Sequence, residues 1–455
     1  MTETSAKGKV HLTSGRLLAR NTIWNLLGTG APLLVAIPVV PYLIRNMGTD
    51  RFGVLTLAWA VTGYASLFDL GVGRALTQVV AKKLGAGEEH EIPALVWTSL
   101  LLMLLLGVLG MATVVAISPW LVHHALKIPL ALQGETLNAF YLLGLSVPIV
   151  ITSTALRGLL EAHQRFDLVT KLRIPIGIFT FAGPLLVLPF TRSVAAVVGV
   201  IVAGRFAALV ANFWVCLLVV PELRHRVAWH GPSAGPLLRF GGWLTVGSVF
   251  GPMMLYMDRF VIGAMVSATA VAYYATPYEV VTKLFYISGA ISGVMFPAFS
   301  LSSVKDRDRS AMLYRQTMRY LLAVLLPLIV VLILGAKAGL TLWLGTSFAG
   351  NSYRVAQLLL VGTFALGMAA VPFVLIQGFG RPDIPPKLNL LEIPFYAVGL
   401  YWLIQKYGVT GAAAAWTLRA IFDALLLLFF AHRLQRNPHS EVSNVQVVCS
   451  VPVDR

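Results

Sequence analysis

The sequence predicts an all-α integral membrane protein of about twelve transmembrane helices, arranged as two six-helix lobes around a central cavity. Three observations carry that expectation. Of 455 residues, 57% are hydrophobic and 12% charged, roughly half the charged share of an ordinary soluble domain. Uncharged stretches recur at about 20 residues, the length that crosses roughly 30 Å of hydrocarbon. Lys and Arg are distributed unevenly between alternate loops, as the positive-inside bias requires.

Residues 1–21 are polar and basic, with Lys7, Lys9, Arg16 and Arg20. The apolar run behind them is too long for a signal-peptide core and has no cleavage site, so the first span is retained. Spans are expected at 22–44, 52–81, 93–117, 136–156, 174–191, 194–220, 242–262, 271–298, 320–344, 355–379, 388–405 and 408–431. Gly48-Thr-Asp-Arg-Phe-Gly53 reads as a turn with an N-cap at Thr49 or Asp50 for the second span. With the N-terminus inside, cytoplasmic segments hold 23 of the 35 Lys and Arg residues and external segments six. That ratio places both termini in the cytoplasm. The expected domains are a cytoplasmic segment 1–21, an N-lobe 22–221, an interfacial linker 222–241, a C-lobe 242–432 and a disordered cytoplasmic tail 433–455. An internal echo supports the division: Arg20, Trp24 and Gly28 recur as Arg239, Trp243 and Gly247, each 219 residues on. Six spans per half imply a parallel repeat with a cavity between the lobes.

The excess of cations, +16 in formal charge, reads first as basic cytoplasmic loops, and nucleic acid is not an expected partner. Cys216 and Cys449 form neither a disulfide framework nor a metal site. No nucleotide-binding loop, H-E-x-x-H or CxxC is present, so no enzyme, cofactor or metal is expected.

Charges within the spans carry the functional signal, because each costs several kcal/mol unless it faces water, a partner or a ligand. The second span holds Asp69 and Arg74 around Gly71-Val-Gly73, the seventh Asp258 and Arg259, the eighth Glu279 and Lys283, the twelfth Arg419 and Asp423. The last two are i, i+4 pairs on one helix face. Any one pair reads equally as a structural ion pair. As a set from both lobes, they read as the lining of a solvated cavity for a charged substrate. Arg205, alone in the sixth span, completes that lining, snorkels, or meets a distant carboxylate. Lys337 and Glu392, nearer span ends, are expected to snorkel, and Arg157, Glu161 and Arg165 to form a solvated ladder. The cations suit phosphate or pyrophosphate. Asp69, Asp258, Glu279 and Asp423 keep the cavity tolerable or exchange protons.

Several segments resemble the Wzx-type polysaccharide flippases of the multidrug/oligosaccharidyl-lipid/polysaccharide (MOP) exporter superfamily. They are Arg20-Asn-Thr-Ile-Trp-Asn-Leu-Leu-Gly28, Phe52-Gly53-Val54, Leu67-Phe-Asp-Leu-Gly-Val-Gly-Arg-Ala-Leu-Thr77, Glu161-Ala-His-Gln-Arg-Phe-Asp167 and Met257-Asp-Arg-Phe-Val-Ile-Gly263. The resemblance covers nearly the whole chain. It implies a MATE-like V of two lobes and alternating access. It also implies an undecaprenyl-pyrophosphate-linked oligosaccharide moved between leaflets of the bacterial inner membrane. Arg74, Arg259, Lys283 and Arg419 are then the candidates for gripping pyrophosphate or acidic sugar. A polysaccharide polymerase and a glycosyltransferase are the implied partners, beside membrane lipid. Twelve spans leave none for the additional lipid groove of the peptidoglycan-precursor flippase branch. The alternatives are a drug antiporter on the same fold, which would want a net anionic cavity, and a membrane glycosyltransferase or polymerase, which would want a large catalytic external loop.

Overall fold

The computed structural model describes residues 34–64, 68–69, 72–224, 256–289, 307–379 and 383–436, with single positions 32, 291, 292, 295, 299 and 381. Every regular element among them is helical. Two compact units divide between Met257 and Asp258. The expected segment 1–21, nearly all of the linker 222–241, both halves of the internal echo and residues 437–455 lie outside the described residues.

The first unit contains α1 (Leu34–Met47), α2 (Thr49–Tyr64), α3 (Val72–Ala86), α4 (Ile92–Trp120), α5 (Leu130–Ala162), α6 (Phe166–Ala182) and α7 (Val194–Val219). Helix α4 shows why they form: Pro93 sits in its first turn, where a missing N–H costs nothing, and no charge interrupts the 29 residues that follow. A π turn at Leu121–Ala125 closes it. Helix α5 is the central post, with 56% of its most apolar stretch buried against 22–33% for α4, α6 and α7. Its Gly158 lets α3 approach, since a Cβ there would lie 2.5 Å from Thr77 Oγ1 and 3.1 Å from the Gly73 carbonyl. Small residues at such crossings are how membrane helices gain close packing.

The second span departs from expectation. The single run 52–81 is two helices: α2 ends at Tyr64 and α3 begins at Val72, with a turn at Phe68–Asp69. Asp69 is the cause on the α3 side. Its carbonyl accepts from Val72 N at 3.0 Å and its Oδ1 from Gly73 N at 3.0 Å, so the carboxylate caps the helix instead of riding within one.

The second unit contains α8 (256–265), α9 (Ala268–Val281), α10 (285–289), α11 (Arg307–Leu344), α12 (Thr346–Gly378) and α13 (Ile384–Arg436). Ser267 caps α9, its hydroxyl accepting from Ala270 N at 3.0 Å. Helix α12 is the central post here, 61% buried over its most apolar stretch. It packs on α9, α11 and α13. The expected spans 388–405 and 408–431 are the two limbs of α13, bent at Gly408, whose φ of 58° and ψ of −134° suit only glycine. Helix α11 is longer than expected, starting at Arg307, and α13 continues through the first four residues of the expected tail. Seven helical segments among the described residues are long and apolar enough to cross a membrane, the last being bent α13.

Candidate functional site

The second unit gathers six of the nine expected site residues. Asp258 and Arg259, adjacent on α8, are both buried at 1% exposure or less. Asp258 accepts through Oδ1 from Arg259 N at 2.8 Å and through Oδ2 from the Tyr274 hydroxyl. Arg259 Nη2 meets Glu279 Oε1 at 2.6 Å, and Lys283 Nζ meets Glu279 Oε2 at 3.2 Å. Glu279 therefore bridges two cations, one buried and one, Lys283, a third exposed. The Arg259 guanidinium stands 5.4 Å from the centre of the Tyr278 ring, which makes a T-shaped contact with Trp416, centres 5.5 Å apart.

A second knot lies on the two limbs of α13. Arg419 Nε meets Glu392 Oε2 at 3.3 Å, and its guanidinium stands 5.6 Å from the Tyr396 ring centre. Asp423, one turn beyond Arg419, interacts with both Glu392 and Arg419. The Tyr278–Trp416 ring contact links the two knots, Trp416 lying three residues before Arg419. Beside the Glu392–Arg419 pair opens a cleft of about 210 Å³ lined by Phe395, Tyr396, Gly399 and Phe422.

One expectation changes at this point. Glu392 does not snorkel: it is 2% exposed and holds Arg419. The bend at Gly408 folds the first limb back and delivers Glu392 from 27 positions away, beside the Arg419–Asp423 pair. With all groups ionised, the cluster holds four carboxylates against three cations, so its cations are neutralised within the protein. Tyr274, Tyr278, Tyr396 and Trp416 were absent from the sequence expectation. The i, i+4 spacing of Tyr274 and Tyr278 immediately before Glu279 is the signal that would have marked them.

The first unit behaves differently. Asp69 is a helix cap, and Arg74 follows it in the first turn of α3; the Arg74 side chain lies outside the described residues. Arg157 is no rung of a solvated ladder. Largely buried, it donates through Nη2 to Thr154 Oγ1 at 3.2 Å and feels the charges of Glu161 and, less, Asp69, while Arg165 pairs with Asp167 at 3.1 Å.

Arg205 is the twelfth residue of the 26-residue α7, about 17 Å along the axis and so near mid-membrane. Its Nη1 donates to Thr62 Oγ1 of α2 at 3.0 Å and to Ser146 Oγ of α5 at 3.2 Å. Both hydroxyls spend their own protons on helix carbonyls, Thr62 on Ala58 at 3.2 Å and Ser146 on Leu143 at 2.7 Å. They can therefore offer Arg205 only lone pairs. No carboxylate meets Arg205 among the described residues, and its Nε–H and Nη2 donors face no protein acceptor there.

An all-helical chain with several apolar spans and charges built into them is a multi-pass membrane protein. A multidrug resistance MATE family transporter of the MOP superfamily, solved inward-facing, superposes with a TM-score of 0.78 over 92% of this chain and 98% of its own at 13% identity. A MOP superfamily transporter of Pyrococcus furiosus, described as having a binding pocket of reverse polarity, gives 0.65 over 95% and 99% at 14% identity. At these identities the likeness is one of fold. The family model for polysaccharide biosynthesis proteins matches residues 18–303. The Shigella flexneri protein named "Putative O-antigen transporter" is 31% identical over 424 residues, 92% of this chain and 98% of that one. The lipopolysaccharide biosynthesis protein WzxC of Escherichia coli is 20% identical over 89% of this chain and 79% of its own. The chain belongs to the polysaccharide biosynthesis protein family, with an O-antigen transporter among its relatives and the fold of MOP superfamily transporters.

Proposed function

We propose that this protein flips undecaprenyl-pyrophosphate-linked oligosaccharide from the cytoplasmic to the periplasmic leaflet by alternating access, with both termini cytoplasmic. The lobes are 22–221 and 242–432, joined by 222–241. Kinship to an O-antigen transporter over nearly the full chain supports the substrate class. The observation that carries the anion-binding part is Arg205, a mid-span cation whose partners are hydroxyl lone pairs. Such a group binds an entering phosphate without first breaking an ion pair, and a guanidinium fork suits two phosphate oxygens. Arg74 is assigned beside it. Arg259, Lys283 and Arg419 can grip substrate only as Asp258, Glu279, Glu392 and Asp423 release them, and proton uptake by those carboxyls is the coupling step that this arrangement suits. A polymerase and a glycosyltransferase are the partners for such a flippase in the inner membrane.

The one-carboxylate excess of the Asp258–Arg259–Glu279–Lys283–Glu392–Arg419–Asp423 cluster favours one other reading, a cation-coupled drug antiporter on the same fold. One experiment separates the two. In a strain lacking the native gene, Arg205→Ala and Arg205→Lys at normal membrane abundance are expected to accumulate the lipid-linked precursor and lose surface polysaccharide, by tenfold or more. Normal export from both variants overturns the assignment of Arg205. Normal polysaccharide in the gene-deleted strain together with drug sensitivity establishes the antiporter.

A further inference from the structure

Helices α11 and α12 form a hairpin joined by Gly345 alone, and between Asp308 and Asp383 the sequence contains no acidic residue. Near its turn the hairpin places two exposed cations on one ring. Lys337 Nζ stands 5.6 Å and the Arg354 guanidinium carbon 5.7 Å from the centre of Tyr353. Arg354 Nε also donates to the Tyr353 hydroxyl at 3.0 Å. Lys337 lies seven residues before Leu344 and Arg354 eight after Thr346, so both sit at one depth, about 11 Å along the helices from the turn. The register is fixed just below them, where Gln357 Nε2 donates to the Ile333 carbonyl at 3.0 Å.

Two like charges drawn to one ring are both served by an anion placed beside them. A ring face attracts each cation, but it supplies no counter-charge, and no carboxylate meets either residue among the described residues. Below Lys337 on the same stripe, Leu334 and Val330 are 78% and 44% exposed, one and two turns down. A headgroup-level pair of cations with an aromatic ring, above an apolar stripe, matches a single amphiphile: phosphate at the top and acyl chain beneath. We infer that Lys337, Tyr353 and Arg354 form a binding site for an anionic phospholipid in the leaflet at the α11–α12 turn. The inference does not depend on the identity of the transported molecule.

The test is native mass spectrometry of the full chain in detergent, titrated with phosphatidylglycerol and, separately, phosphatidylcholine. Phosphatidylglycerol is expected to bind at least tenfold more tightly, and the Lys337→Gln/Arg354→Gln double variant to lose that preference, at roughly fivefold per cation. Lys406→Gln, on a separate cation–ring contact with Trp402 and Tyr407, is expected to leave it intact. Equal binding of both lipids, or an unchanged preference in the double variant, overturns the site. An equal loss in Lys406→Gln shows general charge attraction and overturns it too. Displacement of the lipid by excess inorganic phosphate assigns the pair to soluble anions and overturns the lipid.

Discussion

Arg259 and Lys283 share one carboxylate, yet burial separates what each contributes. Arg259 is 1% exposed and Lys283 32%. Glu279 is itself 41% exposed and keeps Lys283, but removing Arg259 also strands fully buried Asp258, and a buried charge so stranded costs about 3–5 kcal/mol, whereas an exposed pair is screened to below about 1 kcal/mol. Arg259→Gln is therefore expected to cost about 3 kcal/mol in denaturant unfolding in detergent, and Lys283→Gln less than about 1. Equal losses would mean that Glu279, not Arg259, anchors the cluster. The sequence made the membrane charges visible as a set, because any Asp, Glu, Lys or Arg in an apolar run stands out. Their partners were not visible. Asp69 turned out to cap a helix, and Arg419, read with Asp423 as an i, i+4 pair, also meets Glu392 from the other limb. Hydropathy reports that a charge must be satisfied and is silent on which distant residue does it.

Helix existence was far more legible than helix interruption. Apolar length alone gave the spans around α4, α7 and α12. The turn at Phe68–Asp69 escaped because apolar residues and glycines flank Asp69 on both sides, so mean hydropathy stays high across it. Crossings obey a finer rule that glycine spacing does not reveal. A Cβ on Gly362 would lie 2.5 Å from the Trp416 ring and 3.1 Å from the Thr417 Cα, while one on Gly399 meets nothing within 4 Å. Gly362→Ala is thus expected to destabilise, its overpacking of about 1–3 kcal/mol exceeding the roughly 1 kcal/mol of helix propensity gained. Gly399→Ala gains the propensity alone and is expected to stabilise by up to about 1 kcal/mol. Melting temperatures of the two variants moving in the same direction would refute the α12–α13 crossing. Between those helices, Asp383 bonds Arg381 Nε at 3.0 Å and Lys387 Nζ at 2.7 Å. These bonds, Arg381 first, hold its carboxyl well below the usual carboxylate range. A lowered folded value stabilises the native state above the unfolded pKa of about 3.9 and loses that gain as pH falls through the folded value. The difference in melting temperature between wild type and Asp383→Asn is expected to be constant from neutral pH to about 5 and to close below about 4. Its exposed setting keeps the effect under about 1 kcal/mol.

At the scale of the whole molecule, the distribution of Lys and Arg makes a claim that the helices alone do not: which side each loop faces. The imbalance of 23 cations to six between alternate segments is a property of the entire chain, so a single accessible residue tests all of it. The two native cysteines provide that residue and its control without any substitution. Cys216 is fully buried on α7, with its sulfur 3.4 Å from the Leu156 carbonyl. Burial against α5 closes it to reagent. Cys449 belongs to the polar C-terminal segment, beyond the last apolar run. A membrane-impermeant maleimide is expected to label one thiol per chain in inverted vesicles and none in right-side-out vesicles, with a second thiol reacting only after denaturation. Labelling from the outside would reverse every loop at once. Labelling from neither side would bury the C-terminal segment against the protein, and two labels in the native state would contradict the α5–α7 contact that also presents Ser146 to Arg205.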